Sequence, residues 1–240
     1  MLSKWLRILP FVGLFVAGIC QAQTKTIHFT TDPEKPGGYL LAITQAAFER
    51  VGYKVEVDYR PWGRALEDVM TGQTEALLGA QFTEQRAEKM LYSQQIGQSE
   101  MVFFKLKTNN VPFKQVADLK GMTVGTIRNA SYTPEFDSMA EITKEVVTDP
   151  RINVRKLLAG RIPLFVEKKA ITQSILKAEF AADADKIDFI TPPLKTMKFF
   201  NCFSKAAPGA DQKQADFNRG LEMITKDGTL QAILNRGLHE

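Results

Sequence analysis

The sequence predicts an α/β fold organised as two lobes, each a mostly parallel sheet flanked by helices. Three observations carry this. Apolar spacing switches repeatedly between the two-residue repeat of a strand and the 3.6-residue repeat of a helix. The links between the two kinds of segment are short, and strand–helix–strand order with short links implies parallel pairing. One plan of helix, glycine, short link and apolar strand also occurs twice, at Asp68–Leu78 and at Arg155–Val166.

The elements follow in order. Thr26–Thr30 alternates as a half-buried strand. After a Pro/Gly loop, Leu40, Ile43, Ala47 and Val51 form a helical stripe that Gly52 stops. Lys54–Asp58 is a strand, Arg64–Met70 a helix closed by Gly72, and Glu75–Ala80 a third strand. Thr83 is an N-cap, with Glu84 favourable in the first turn. Met101–Lys107 is a strand, and Val111-Pro112 breaks the pattern. A second series follows: a strand at Met122–Gly125, a helix after Ser131, a strand at Glu145–Thr148, and a helix opened by Asp149-Pro150 and stopped by Gly160. Ile162–Val166, Ile187–Ile190 and Lys198–Ser204 are strands, with a helix at Ala170–Phe180 between the first two. Phe217, Leu221 and Ile224 mark an amphipathic helix before Asp227-Gly228, and Thr229–Asn235 a last short one.

Ahead of the first strand, Lys4 and Arg7 precede an apolar run from Ile8 to Ile19 and then Cys20-Gln21-Ala22. This is the layout of a secretory signal peptide, residues 1–22, cleaved after Ala22 to leave a periplasmic protein. The run is too short for a membrane span, which needs roughly 20 apolar residues. Ile19, where a lipoprotein would carry a small residue, argues against anchoring at Cys20.

Without Lys4 and Arg7 the total of 31 basic residues falls to 29, against 27 acidic ones, a balance that gives no footprint for nucleic acid. Cys202 is then the only cysteine, so no internal disulfide forms. Two histidines, His28 and His239, lie too far apart in sequence to suggest a zinc site or a triad. Gly-x-Ser-x-Gly and phosphate-loop motifs are missing as well, and no cofactor is expected.

Four stretches together resemble the family-3 bacterial extracellular solute-binding proteins, which include polar-amino-acid receptors of ABC transporters. They are Pro61-Trp62-Gly63-Arg64-Ala65-Leu66; the Thr-x-x-Arg segment Phe82–Ser93, ending in Tyr92-Ser93; Ala117-Asp118-Leu119-Lys120-Gly121; and Asp227-Gly228-Thr229-Leu230. The resemblance runs from about Thr26 to Gly237. It implies a Venus-flytrap (type II) periplasmic binding protein, with residues 24–105 and 200–240 as lobe 1 and 106–199 as lobe 2. The strands Met101–Lys107 and Lys198–Ser204 would cross between the lobes as a hinge. It also implies a monomer that takes a small carboxylate-bearing ligand and serves an ABC-transporter permease or a membrane sensor.

Arg86 is the sharpest candidate site residue. It stands three residues after the Thr83 cap, and a guanidinium offers a planar fork that matches a carboxylate. The resemblance puts the family's carboxylate-binding arginine there. Trp62 aligns with an aromatic wall, Arg64 stands two residues on, Gln81 follows the third strand, and Asp32 follows the first. In the second lobe, Ser131 and Tyr132 sit where a strand gives way to a helix, and their N–H groups and the Ser131 hydroxyl suit an anionic oxygen. Receptors of this family usually carry an aspartate for the ligand ammonium just past the Gly-Arg-Ile strand. Here Lys168 stands at that position with Glu167 before it, so the ligand's second group depends on which of the two faces the cleft. An enzyme on the same scaffold, resembling the cyclohexadienyl dehydratases, is the alternative, with Glu167 as its acid or base.

Overall fold

The computed structural model describes residues 25–33 and 38–236; the expected signal peptide and its cleavage point lie outside the described residues. The first half begins with β1 (Lys25–Thr31), α1 (Gly38–Glu49), β2 (Tyr53–Tyr59), α2 (Trp62–Met70), β3 (Ala76–Ala80) and α3 (Glu84–Lys89). A long strand, β4 (Met90–Leu106), leads to β5 (Thr123–Ile127), α4 (Pro134–Ser138), β6 (Thr143–Val147), α5 (Pro150–Leu158), β7 (Leu164–Lys168), α6 (Lys169–Glu179) and β8 (Ile187–Phe189). The return strand β9 (Lys195–Ser204) precedes α7 (Ala210–Lys226) and α8 (Thr229–Asn235).

The nine strands form one sheet in the order β2-β1-β3-β9-β4-β7-β5-β6, with β8 also paired to β4. The triplets β2-β1-β3 and β7-β5-β6 are internally parallel. Between them β9 and β4 are antiparallel to each other and to the strands they meet. The two triplets therefore point their carboxyl ends at one another. Ala80 is level with Phe200 and Gln95, and Lys168 is level with Met101. Six residues of β4 thus separate the two sets of strand ends, about 20 Å at the usual rise of a strand.

Packing divides at the same place. Phe29, Phe48, Phe203 and Phe217 interlock in a cluster that includes Ile96 and Phe199. A smaller one joins Ala65, Leu77, Met90 and Cys202. On the other side, Met101 and Phe103 pack with Phe113, Tyr132 and Phe136, while Val102 and Phe104 pack with Phe165 and helices α5 and α6. The side chains of 101–104 thus pack with the second half.

One expectation changes and another is sharpened. The strand expected at Met101–Lys107 starts at Met90, because Leu91–Glu100 is held by its ladder with β9 rather than by an apolar face, and so carries no strand periodicity. The helix expected after Ser131 opens at Pro134, capped by Thr133, whose Oγ1 accepts the Phe136 N–H at 3.2 Å. Among the described residues, no helix is long and apolar enough to cross a membrane.

Candidate ligand-binding site

In the first half, two strand ends and a helix start meet at one cavity of about 330 Å³. β1 hands on to Asp32, the fully buried β3 hands on to Gln81, and α2 begins at Trp62. Thr83, Arg86 and Phe199 complete the walls. Thr83 leaves the strand in extended conformation and its Oγ1 accepts the Arg86 N–H at 3.2 Å, which opens the one-turn helix α3 and sets Arg86 over the cavity.

The arginine is held from two sides. Its Nη1 donates to the Gln81 carbonyl at 3.0 Å, and its guanidinium carbon lies 5.6 Å from the centroid of the Trp62 ring. Trp62 is fixed in turn, since its N–H donates to Asp32 Oδ2 at 3.1 Å. The Tyr92 hydroxyl donates to the same Gln81 carbonyl at 3.2 Å and accepts the Thr83 N–H at 3.4 Å. Behind it, burial pushes the Cys202 thiol up to about 12. One of the five guanidinium N–H groups is committed to Gln81, which leaves enough of the fork to grip a carboxylate in two places.

Arg64 does not join this group. Residues i and i+2 on a helix face apart. Arg64 Nε lies 2.8 Å from Asp68 Oδ1 and its Nη2 donates to Gln73 at 3.1 Å, while Arg60 takes the other oxygen of Asp68 at 2.9 Å. Asp68 is a buried carboxylate, so the two arginines neutralise it instead of serving the cavity.

In the second half, the Tyr132 side chain is part of the core. Its ring packs on Phe136 at 5.3 Å and its hydroxyl accepts the Ile127 N–H at 2.8 Å. Burial pushes the phenol up to about 12, with the charges of Glu167 and Asp137 adding to the rise against the Ile127 hydrogen bond. Two of the donors expected to hold an anion are already used: the Ser131 hydroxyl and the Tyr132 N–H both give to Asp137, at 3.3 and 3.0 Å.

Glu167 and Lys168 project to opposite faces of the sheet. Strand alternation places Lys168 with Leu164 and Val166, on the Tyr132 side, and Glu167 with Phe165. The Glu167 carboxylate curls onto the Lys168 N–H at 2.7 Å. Burial raises its proton affinity, opposed by that hydrogen bond and the Lys168 charge.

Asp32, Trp62, Gln81 and Arg86 are therefore brought together, while Ser131, Glu167 and Lys168 stand at the opposing strand ends. Phe82, Thr83, Tyr92 and Phe199 were missed as site or supporting residues. Thr83 and Tyr92 lie within the Thr-x-x-Arg segment, whereas Phe199 reaches the cavity only through the pairing of β9.

A family model described as bacterial extracellular solute-binding proteins, family 3, matches residues 18–239. No curated protein sequence matches the chain. Among solved structures, the L-cystine solute receptor of Neisseria gonorrhoeae is similar at 18% identity and TM-score 0.70, over 88% of this chain and 91% of that one. A polar amino acid ABC uptake transporter substrate-binding protein from Streptococcus thermophilus is similar at 17% and 0.71, over 89% and 86%. The second substrate-binding domain of Lactococcus lactis GlnP, in its open conformation, is similar at 17% and 0.67, over 90% and 96%. At such identities the likeness is one of fold, the two-lobed α/β periplasmic binding protein, and the family follows from the sequence model that spans nearly the whole chain. The protein belongs to the bacterial extracellular solute-binding proteins, family 3.

Proposed function

We propose that this protein binds a small carboxylate-bearing solute, an amino acid or related polar molecule, by closing two lobes on it. The observation that carries the proposal is the seating of Arg86 over Trp62, in the cavity that Asp32 and Gln81 share. The lobes are joined by crossings at about 97–100 and 195–196, a few residues ahead of the boundaries read from sequence; the split between the core clusters supports this. Closure brings the ends of β5 and β7, with Ser131 and Lys168, onto the ligand that Arg86 holds.

The protein acts as an exported monomer, cleaved after Ala22, that delivers its ligand to an ABC-transporter permease or presents it to a membrane sensor. It is a receptor, not an enzyme. The solved structures it resembles are solute receptors and transporter substrate-binding proteins, which supports this reading.

A thermal-shift screen of amino acids and small carboxylates tests it. A ligand at 100 times its Kd stabilises by about 2.7 kcal/mol, which raises the melting temperature of a chain this size by about 5–10 °C. Absence of a shift with every carboxylate, or a hit that is consumed with time, contradicts the proposal.

A further inference from the structure

We infer that the second lobe meets its ligand with a pair of lysines, Lys168 and Lys195, so that the preferred ligand carries a second anionic group, as a dicarboxylate does. This rests on the carboxylate reading of the Arg86 cavity.

The pairing of the strands puts the two lysines in one row. Met101 is level with Lys168 on β7 and with Lys195 on β9. Residues level across neighbouring strands project to the same face, so both lysines emerge on the face where Met101 packs near Tyr132. Their Cα atoms stand two strand spacings apart, about 10 Å. Lys195 Nζ reaches the Tyr132 carbonyl at 3.5 Å, beside Ser131. The Lys168 ammonium has no hydrogen-bond or ion-pair partner among the described residues. Both stand at the end of the second half that faces the Arg86 cavity along β4.

The acidic groups nearby offset this charge only in part. Glu167 feels the Lys168 charge, but burial favours its neutral form and its carboxylate is turned onto the Lys168 N–H. Glu100 is 3.3 Å from Lys169, and Asp137 accepts from Ser131 and Tyr132. With the Ser131 hydroxyl and the Tyr132 N–H given to Asp137, the two lysines remain to receive the far end of a ligand. A ligand ammonium brought there by closure would meet like charge, which selects against it, while a carboxylate would meet its complement.

Calorimetry of the exported chain with succinate, glutarate, glutamine and ornithine tests the inference. The two dicarboxylates are expected to bind, with glutamine and ornithine at least about tenfold weaker. Lys168→Gln is expected to weaken the dicarboxylates at least about tenfold while the melting temperature of the free protein stays unchanged. Lys168→Glu is expected to shift preference toward ornithine. If glutamine or ornithine binds as tightly as the dicarboxylates, or Lys168→Gln leaves dicarboxylate affinity unchanged, while Arg86→Ala abolishes binding, the carboxylate reading stands and the lysine inference is overturned. If none of the four binds, the lysine inference is overturned, while the carboxylate reading falls only if every carboxylate in the thermal-shift screen fails as well.

Discussion

Arg86→Ala separates binding from folding, because the two costs differ in size. In the free protein the substitution removes one hydrogen bond, to Gln81 O, and one ring contact, with Trp62. The Gln81 carbonyl keeps the Tyr92 hydroxyl at 3.2 Å, so no buried acceptor is orphaned. The stability loss is then about 1–2 kcal/mol, one ordinary hydrogen bond plus an exposed cation–π contact. At 2–4 °C per kcal/mol for this chain length, melting falls by about 2–8 °C. The loss of ligand affinity is larger, since closure would leave a carboxylate without its cation. That costs about 2–5 kcal/mol, a 30- to 4,000-fold rise in Kd. Arg86→Lys restores the charge but not the planar fork, and should recover only part of the affinity. Calorimetry on the folded variants, with circular dichroism to confirm the melt, reads both quantities. A Kd within about threefold of the parent's in folded Arg86→Ala would refute the assignment.

Two further predictions concern the frame. Gly220 on α7 lies against α1, and a Cβ there would stand 2.0 Å from the Ala47 carbonyl oxygen. Backbone cannot rotate aside as a side chain can, so Gly220→Ala should destabilise by about 2–4 kcal/mol despite alanine's better helix propensity; an unchanged urea midpoint would contradict the packing. Tyr53 donates to Asp216 at 2.9 Å, and burial with that hydrogen bond pushes its phenol from 10.0 up to about 12. The unfolded chain loses this proton first, so the contribution is intact below pH 10 and is lost as the pH rises toward 12. Stability should fall across that window, and Tyr53→Phe should flatten the slope in urea titrations; parallel slopes would count against it. Tyr132, also pushed up to about 12 by burial, adds to the same loss.

What the sequence determined alone was local. Apolar periodicity located nearly every strand and helix, because which face is buried is written at spacings of two and 3.6 residues. Thr83 and Asp149 announced their helices, since an N-cap acts within three residues of itself. Arg86 was singled out through the family resemblance that the Thr-x-x-Arg segment carries. The tertiary structure decided whatever depends on residues far apart in the chain. The polar stretch Leu91–Glu100 is a strand because β9 pairs with it, and pairing leaves no mark on the sequence of one partner. Arg64 turns to Asp68 because α2 sets it away from Trp62. Tyr132 belongs to the core because Phe136 and Ile127 close over it. Glu167 and Lys168 could not be told apart in a linear reading, because adjacent residues of a strand differ only in the face they occupy. Register against β4 assigns those faces, and it also sets Lys195 in the same row as Lys168 from another strand.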